Sequence, residues 1–257
     1  MVLSPRMFAA TVMFAVSCTA GPIDIVDDMP LLNGLEAHWA LDEIGGTLVP
    51  DSSGKNKFGT LSGGSWLAAG QFGGALHFEP GTEVSVQSFT QATSAWTVAL
   101  WVRTPAIAAA SEEYRTLLST EHVFIGGWEM NLHVVNNVPR YQFGYYLGPG
   151  KSDYFTAECE CVKPDEWKHL AAVVDGNLKT LSLYVDGVYR LDAAGTSPPN
   201  AVRAPIKNGN FTLYMGRWET PASRQFMGDL DDIAIFSRAL SGDEIAHLFQ
   251  KPAPNVP

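Results

Sequence analysis

The stretch Phe226-Met-Gly-Asp-Leu-Asp-Asp-Ile-Ala-Ile-Phe-Ser-Arg-Ala-Leu-Ser-Gly-Asp-Glu-Ile245 decides the fold. It reads as a last strand, a tight turn and a closing helical turn. Ile233 and Ile235 alternate with Ala234 and Phe236, so both faces of the strand are apolar and both have to be covered. Counting by twos puts Asp231 on the face of Ile233 and Ile235. A carboxylate in that position is costly unless it is ion-paired, hydrogen-bonded or bound to a metal. Ser241 followed by Glu244 is a capping box, which predicts a helix over about Gly242 to Gln250.

Outward from this stretch, runs of β-branched and aromatic residues recur at short intervals with turn residues between them. Val185-Asp-Gly-Val188 is a two-residue hairpin, because Asp-Gly takes the positive φ that a type I′ turn demands. So many strands with one helix require an all-β domain of two packed antiparallel sheets. The segment Leu35–Leu41 is expected to lie beside Gln225–Phe236.

The closing stretch resembles the end of the laminin-G-like, concanavalin A-like jelly-roll domains. Other pieces of that family follow in its order. His38-Trp-Ala-Leu-Asp-Glu43 with Asp51-Ser-Ser-Gly54 and Gly59 resembles the opening strand and loop, and Gly74-Ala-Leu-His-Phe78 the next strand. Trp96-Thr-Val-Ala-Leu-Trp-Val102, then Glu166-Trp-Lys-His-Leu-Ala-Ala-Val-Val174 with Leu183-Tyr-Val-Asp-Gly187, complete the set. The resemblance covers residues 34 to 250 and implies a jelly-roll sandwich with one short C-terminal helix. It fixes the fold better than the function, since such sandwiches host many roles.

With 257 residues, 46% of them apolar, the chain suits one large β-domain with a real core. A net charge of −10 and no clustered Lys or Arg exclude nucleic acid as a partner. Arg6, the apolar run Met7 to Ser17 and small residues near Ala20 read as an export leader. Ala15-Val-Ser-Cys18 resembles a bacterial lipobox without its usual Leu, so a lipid anchor on Cys18 is expected. Plain secretion after Ser17 or Ala20 is the alternative. The organisation is then a signal peptide over 1–18, a linker over 19–33, the domain over 34–250 and a proline-rich tail over 251–257. The protein is expected at the cell or outer membrane as a lipoprotein, touching the bilayer only through that anchor, or else secreted.

Asp42 with Glu43, Asp51 with its serines, and Asp231 with Asp232 are oxygen-rich clusters at the two chain ends of the domain. Calcium takes six to eight oxygens, and many relatives carry a structural ion, so Asp42, Asp51, Asp231 and Asp232 are the expected ligands. The other reading is that Asp51 caps a turn and Asp231 accepts backbone N–H bonds. The six histidines have no zinc-like spacing. Cys159 and Cys161, one residue apart on an extended strand, favour no stable intrachain bridge, since same-face Cα atoms lie about 6.5–7 Å apart. Two free thiols, a disulfide-linked dimer or a bridge across a bend remain open.

The acid motifs of laminarinase-like enzymes and the Arg-x-Glu-x-Arg and Gln-x-His strands of alginate lyases are missing. The nearest imitation is Asp229-Leu-Asp-Asp232. Glu158 and Glu160 read as two solvated acids. The expectation is an exported, non-catalytic binding or adhesion module for carbohydrate. A cell-surface protein-interaction or structural module is the alternative, and a polysaccharide hydrolase or lyase a second one. Sugars stack on exposed rings, and Trp128, Tyr145, Tyr146 and Trp218, beside glycine-rich loops, are the candidates. Trp39, Trp96, Trp101 and Trp167 are expected in the core.

Overall fold

The computed structural model describes residues 30–90, 94–108, 112–120, 127–146, 154–176, 180–190, 210–219 and 224–256. The leader, Cys18 and most of the 19–33 linker lie outside them. Strands are numbered in chain order. One sheet runs β14 (Val188–Tyr189), β13 (Thr180–Val185), β12 (Trp167–Asp175), β7 (Ala95–Arg103), β16 (Gly228–Phe236), β5 (Ala75–Phe78), β4 (Ser65–Leu67), and β1 (Leu35–Trp39) also pairs with β16. The second runs β11 (Tyr154–Cys159), β10 (Val138–Tyr146), β9 (Gly127–Val135), β8 (Glu112–Ser119), β15 (Asn210–Met215), β6 (Glu83–Thr90), β3 (Gly59–Ser62), β2 (Leu48–Val49). The pairings between these strands are antiparallel, and Leu35 lies opposite Phe236 as the sequence predicts. The expected helix spans Gly242–Gln250 with the full capping box at Ser241 and Glu244, and residues 30–32 are helical as well, which the sequence reading did not predict. No helix among the described residues is long and apolar enough to cross a membrane.

The two apolar faces of β16 go to two cores. Leu230, Ile233 and Ile235 enter the space between the sheets, with Trp39, Val98, Leu100 and Trp128. Ala234 and Phe236 face outward and are covered by Leu240, Ile245 and Leu248 of the helix region. Leu230 and Ile233 share a face although they are three apart, which regular alternation forbids. A bulge explains it. Asp231 pairs with Trp101 but Ala234 with Ala99, so β16 carries one residue more than β7 there. Asp232 absorbs the extra residue at φ 45°.

The bulge corrects the expected position of Asp231. It does not share a face with Ile233 and Ile235 but points outward beside Trp101. It is nonetheless fully buried, at 0% exposure. The loop 70–74 closes over it, and Oδ2 accepts the N–H groups of Gln71 at 2.7 Å and Phe72 at 2.8 Å. The approach is close enough that a Cβ on Gly70 would stand 2.6 Å from that oxygen.

Both chain ends belong to the fold. Leu31 is buried in the outer core, and Arg238 donates to the carbonyls of Pro30 and Asn33, so residues 30–33 are not linker. The tail folds back as well. Ala253 is buried with its N–H on Asp232, and Val256 N donates to Ser52 O at 2.8 Å.

Burial pushes the Asp231 carboxyl up to about 7, against the lowering effect of the N–H bonds from Phe72 and Gln71. Such a group stabilises the fold fully below its unfolded value and loses that contribution as pH rises through about 7. His169 opposes it. Complete burial lowers its pKa to about 4, so its contribution holds above the unfolded value and is lost as pH falls toward 4. Asp231→Asn keeps an acceptor oxygen and removes the titration. Urea unfolding between pH 5 and 8 is expected to show the variant gaining stability relative to wild type as pH rises. A difference independent of pH would refute the assignment.

Candidate functional site

The register of the first sheet lines up four side chains on its outer face. Asp229 of β16 lies opposite His77 of β5 on one side and Arg103 of β7 on the other, and Arg103 lies opposite Trp167 of β12. Directly opposite residues share a face, so the row reads His77, Asp229, Arg103, Trp167. It opens into a cleft of about 300 Å3, lined by His77, Arg103, Pro105, Asp165, Gly228 and Asp229. Gly228 makes room at its edge. With φ 144° it brings β16 against β7, and a Cβ there would stand 2.5 Å from Arg103 O.

Asp229 is the hub of the row. Arg103 Nε donates to Oδ2 at 2.7 Å, and His77 Nδ1 lies 2.6 Å from Oδ1. A buried carboxylate with one bond on each oxygen holds both partners in place. The Arg103 guanidinium lies over the Trp167 ring, 4.9 Å from its centre. Clamped between ring and carboxylate, Arg103 keeps its Nη1 and Nη2 donors for the cleft, its side chain 34% exposed. His77 is 42% exposed. Asp165, at φ 60° and with its N–H on Thr104 O, presents an exposed carboxylate in the same lining. Fixed donors and acceptors thus face one opening. Arg103 and Asp229 cancel in charge, and Asp165 adds a negative one, so the cleft suits neutral hydroxyl groups better than an anion.

The expected site residues lie elsewhere. Trp128 and Tyr145 are core residues at 0% exposure. Trp128 packs against Phe143, and Tyr145 meets Trp96 edge to face. Their place beside glycines suggested a loop, yet both sit on strands with their inward set, Met130 and Leu132 in one case and Tyr141 and Phe143 in the other. The side chain of Tyr146 lies outside the described residues. Trp218 is half-buried on the second sheet's side, with the Arg224 guanidinium 4.6 Å from its ring centre. Trp167, expected in the core, is half-buried beside the cleft.

The four carboxylates expected to hold calcium are each bonded to protein groups, while Asp231 Oδ1 is buried without a partner. Asp42 Oδ1 accepts Gly74 N at 2.6 Å, so Asp42 and Asp231 clamp one loop from two sides. Asp51 accepts the N–H groups of His38, Ser53 and Lys57. Asp232 binds His38 Nε2 at 2.6 Å and the Ala253 N–H. Each stands as a backbone cross-link, and among the described residues no three His, Cys, Asp or Glu side chains are grouped to hold a metal. Cys159 and Cys161 form a disulfide, contrary to the spacing argument. Cys161 lies beyond the end of β11, where the chain bends and brings the Cα atoms to 5.3 Å. Glu158 is no solvated acid. It meets Gln142 and His133, and chiefly the His133 hydrogen bond holds its pKa below the usual range.

Residues 79–246 match the family described as the concanavalin A-like lectin/glucanases superfamily, and the chain belongs to that family. A search of curated proteins gives no match. Among solved structures, the chain is similar to the binding domain of botulinum neurotoxin serotype D, with TM-score 0.65 and 15% identity over 85% of this chain and 52% of that one. It is also similar to domain 4 of the extracellular arabinanase AbnA from Geobacillus stearothermophilus, solved with arabinotriose, with TM-score 0.59 and 19% identity over 84% of this chain and 98% of that one. The chain spans about half of the neurotoxin binding domain. At these identities the likeness is one of fold.

Truncating Trp128 removes a packed core ring, so Trp128→Ala is expected to cost about 3–5 kcal/mol of unfolding free energy. Denaturant unfolding decides; a loss below about 1 kcal/mol would return Trp128 to the surface. Melting in millimolar calcium and in chelator is expected to coincide. A calcium-dependent rise of several degrees would reinstate the ion.

Proposed function

We propose that the protein is an exported, non-catalytic carbohydrate-binding module whose ligand enters the cleft at Arg103, Asp229, His77 and Asp165. The observation that carries this reading is the clamped guanidinium of Arg103, immobilised by Asp229 and Trp167 with its outer N–H groups left for a ligand. Preorganised donors lose little entropy on binding. Sugar hydroxyls accept from Arg103 and donate to Asp165. The family, and an arabinotriose complex of a similar fold, support a saccharide over a peptide. A glycosidase would need two available carboxyls about 5 Å or more apart. Of the acids on this stretch of β16, Asp231 is sealed beneath the 70–74 loop, and Asp229 has both oxygens engaged. The leader supports export, with tethering at Cys18 as its finer form.

A glycan array on the purified protein is expected to show binding to neutral oligosaccharides over acidic ones, with no release of reducing ends. Arg103→Ala is expected to weaken that binding by about 1.5–3 kcal/mol, the range for a hydrogen bond to a charged group. Undiminished binding in the variant would place the site elsewhere. Catalytic release of sugar would overturn the non-enzymatic reading.

A further inference from the structure

The middle of the outer face of the second sheet is polar, yet it is buried. Along β9, Trp128, Met130 and Leu132 enter the core, so Glu129, Asn131 and His133 point the other way. All three are buried, as are Thr116 of β8 and Gln142 of β10 beside them. Two of them, Asn131 and His133, have incomplete hydrogen bonds. Thr116 Oγ1 donates to Asn131 Oδ1 at 2.8 Å, and the Asn131 Nδ2 group has no partner. Gln142 Nε2 lies 3.1 Å from His133 Nδ1, and His133 Nε2 has no partner. Nδ1 also lies 3.4 Å from Glu158 Oε2, so Nε2 donates when Nδ1 accepts from Gln142 and accepts when Nδ1 donates to Glu158. Two unpartnered polar groups thus sit on side chains exposed by only 0% and 7%. Such groups cost stability wherever they stay unpaired.

Arg224 covers them. Its Nη1 donates to Glu129 Oε2 at 3.0 Å, and its guanidinium lies 4.6 Å from the ring centres of both Tyr114 and Trp218. Tyr114 in turn lies flat on His133, with centroids 4.0 Å apart. Arg224 therefore reaches from the row of Glu129 to the row of His133, and Asn131 lies between the two.

We propose that this face is a second saccharide-binding site, covered by the Arg224 side chain. A hydroxyl group both accepts and donates. It would take the Asn131 N–H bond and pair with His133 Nε2 in either tautomer of the ring. Swinging Arg224 out exposes the Tyr114 and Trp218 rings, on which a sugar stacks. The inference goes beyond the cleft reading, since the two sites lie on the outer faces of opposite sheets. A domain built this way bridges two glycan chains rather than gripping one.

Calorimetric titration of the full chain with arabinotriose, xylotriose, cellotriose and mannotriose tests it. Two sites are expected for wild type. Asn131→Leu and His133→Phe are each expected to lose one site, keep the other, and melt at or above the wild-type temperature, because an unpaired buried polar group has been removed. Arg103→Ala is expected to lose the other site. Arg224→Ala, which leaves both groups intact, is expected to speed association at the covered site several-fold. A single site lost only in Arg103→Ala would overturn the proposal and leave ordered water as the partner of these groups. Loss confined to the Asn131 and His133 variants would support it and sink the cleft instead. Binding of no trisaccharide by any form would sink both.

Discussion

One extra residue in β16 sets the rest of the molecule in register. Without the bulge at Asp231 and Asp232, alternation from Leu230 would turn Ile233 outward and Ala234 into the space between the sheets. With it, Leu230, Ile233 and Ile235 all reach the inner core, and Ala234 and Phe236 meet the helix region. The bulge also spends two carboxylates on cross-linking. Asp231 closes the 70–74 loop, and Asp232 ties His38 of β1 and the Ala253 N–H to the same point. Strand ends, loop and tail are fastened at one irregularity, and the regular pairing on either side of it follows. Bulges recur beside functional sites because they re-aim side chains, and here the row just before the bulge is the cleft.

Most of the fold was legible in the sequence. The Asp186-Gly187 hairpin, the capping box at Ser241 and the pairing of the first strand with the last rest on local rules that the structure obeys. Asp231 was legible as a buried, hydrogen-bonded acid but not as an outward one, because a bulge leaves no mark in a period-two count. The fate of Trp128 was legible and missed. Trp-Glu-Met-Asn-Leu-His alternates strictly, so the ring had to join Met130 and Leu132, and neighbouring glycines carried no weight against that. The disulfide turns on where β11 ends, a boundary that local pattern locates poorly.

The cleft was not legible, and the reason is topological. His77, Asp229, Arg103 and Trp167 stand on four strands, brought together by a strand order in which β5, β16, β7 and β12 are neighbours. No spacing along the chain encodes that order. Of the four, only Asp229 drew notice as a site residue, in a failed catalytic motif, and Trp167 was assigned to the core. The expected calcium ligands show the converse. Asp42 and Asp231 do reach one loop, but the partners seen there are the N–H groups of Gly74, Gln71 and Phe72, which no acid motif announces.

The direction in which β16 runs fixes how the domain is presented. The cleft sits at its start, beside Gly228 and Asp229, while residues 30–34 attach at its far end through Ser237 and Arg238. Seven residues of strand separate the two, about 23 Å at the usual rise. Whatever precedes residue 30 therefore joins the domain at the end remote from the cleft. A stalk fixed there would hold the opening outward, with the sandwich itself acting as the spacer.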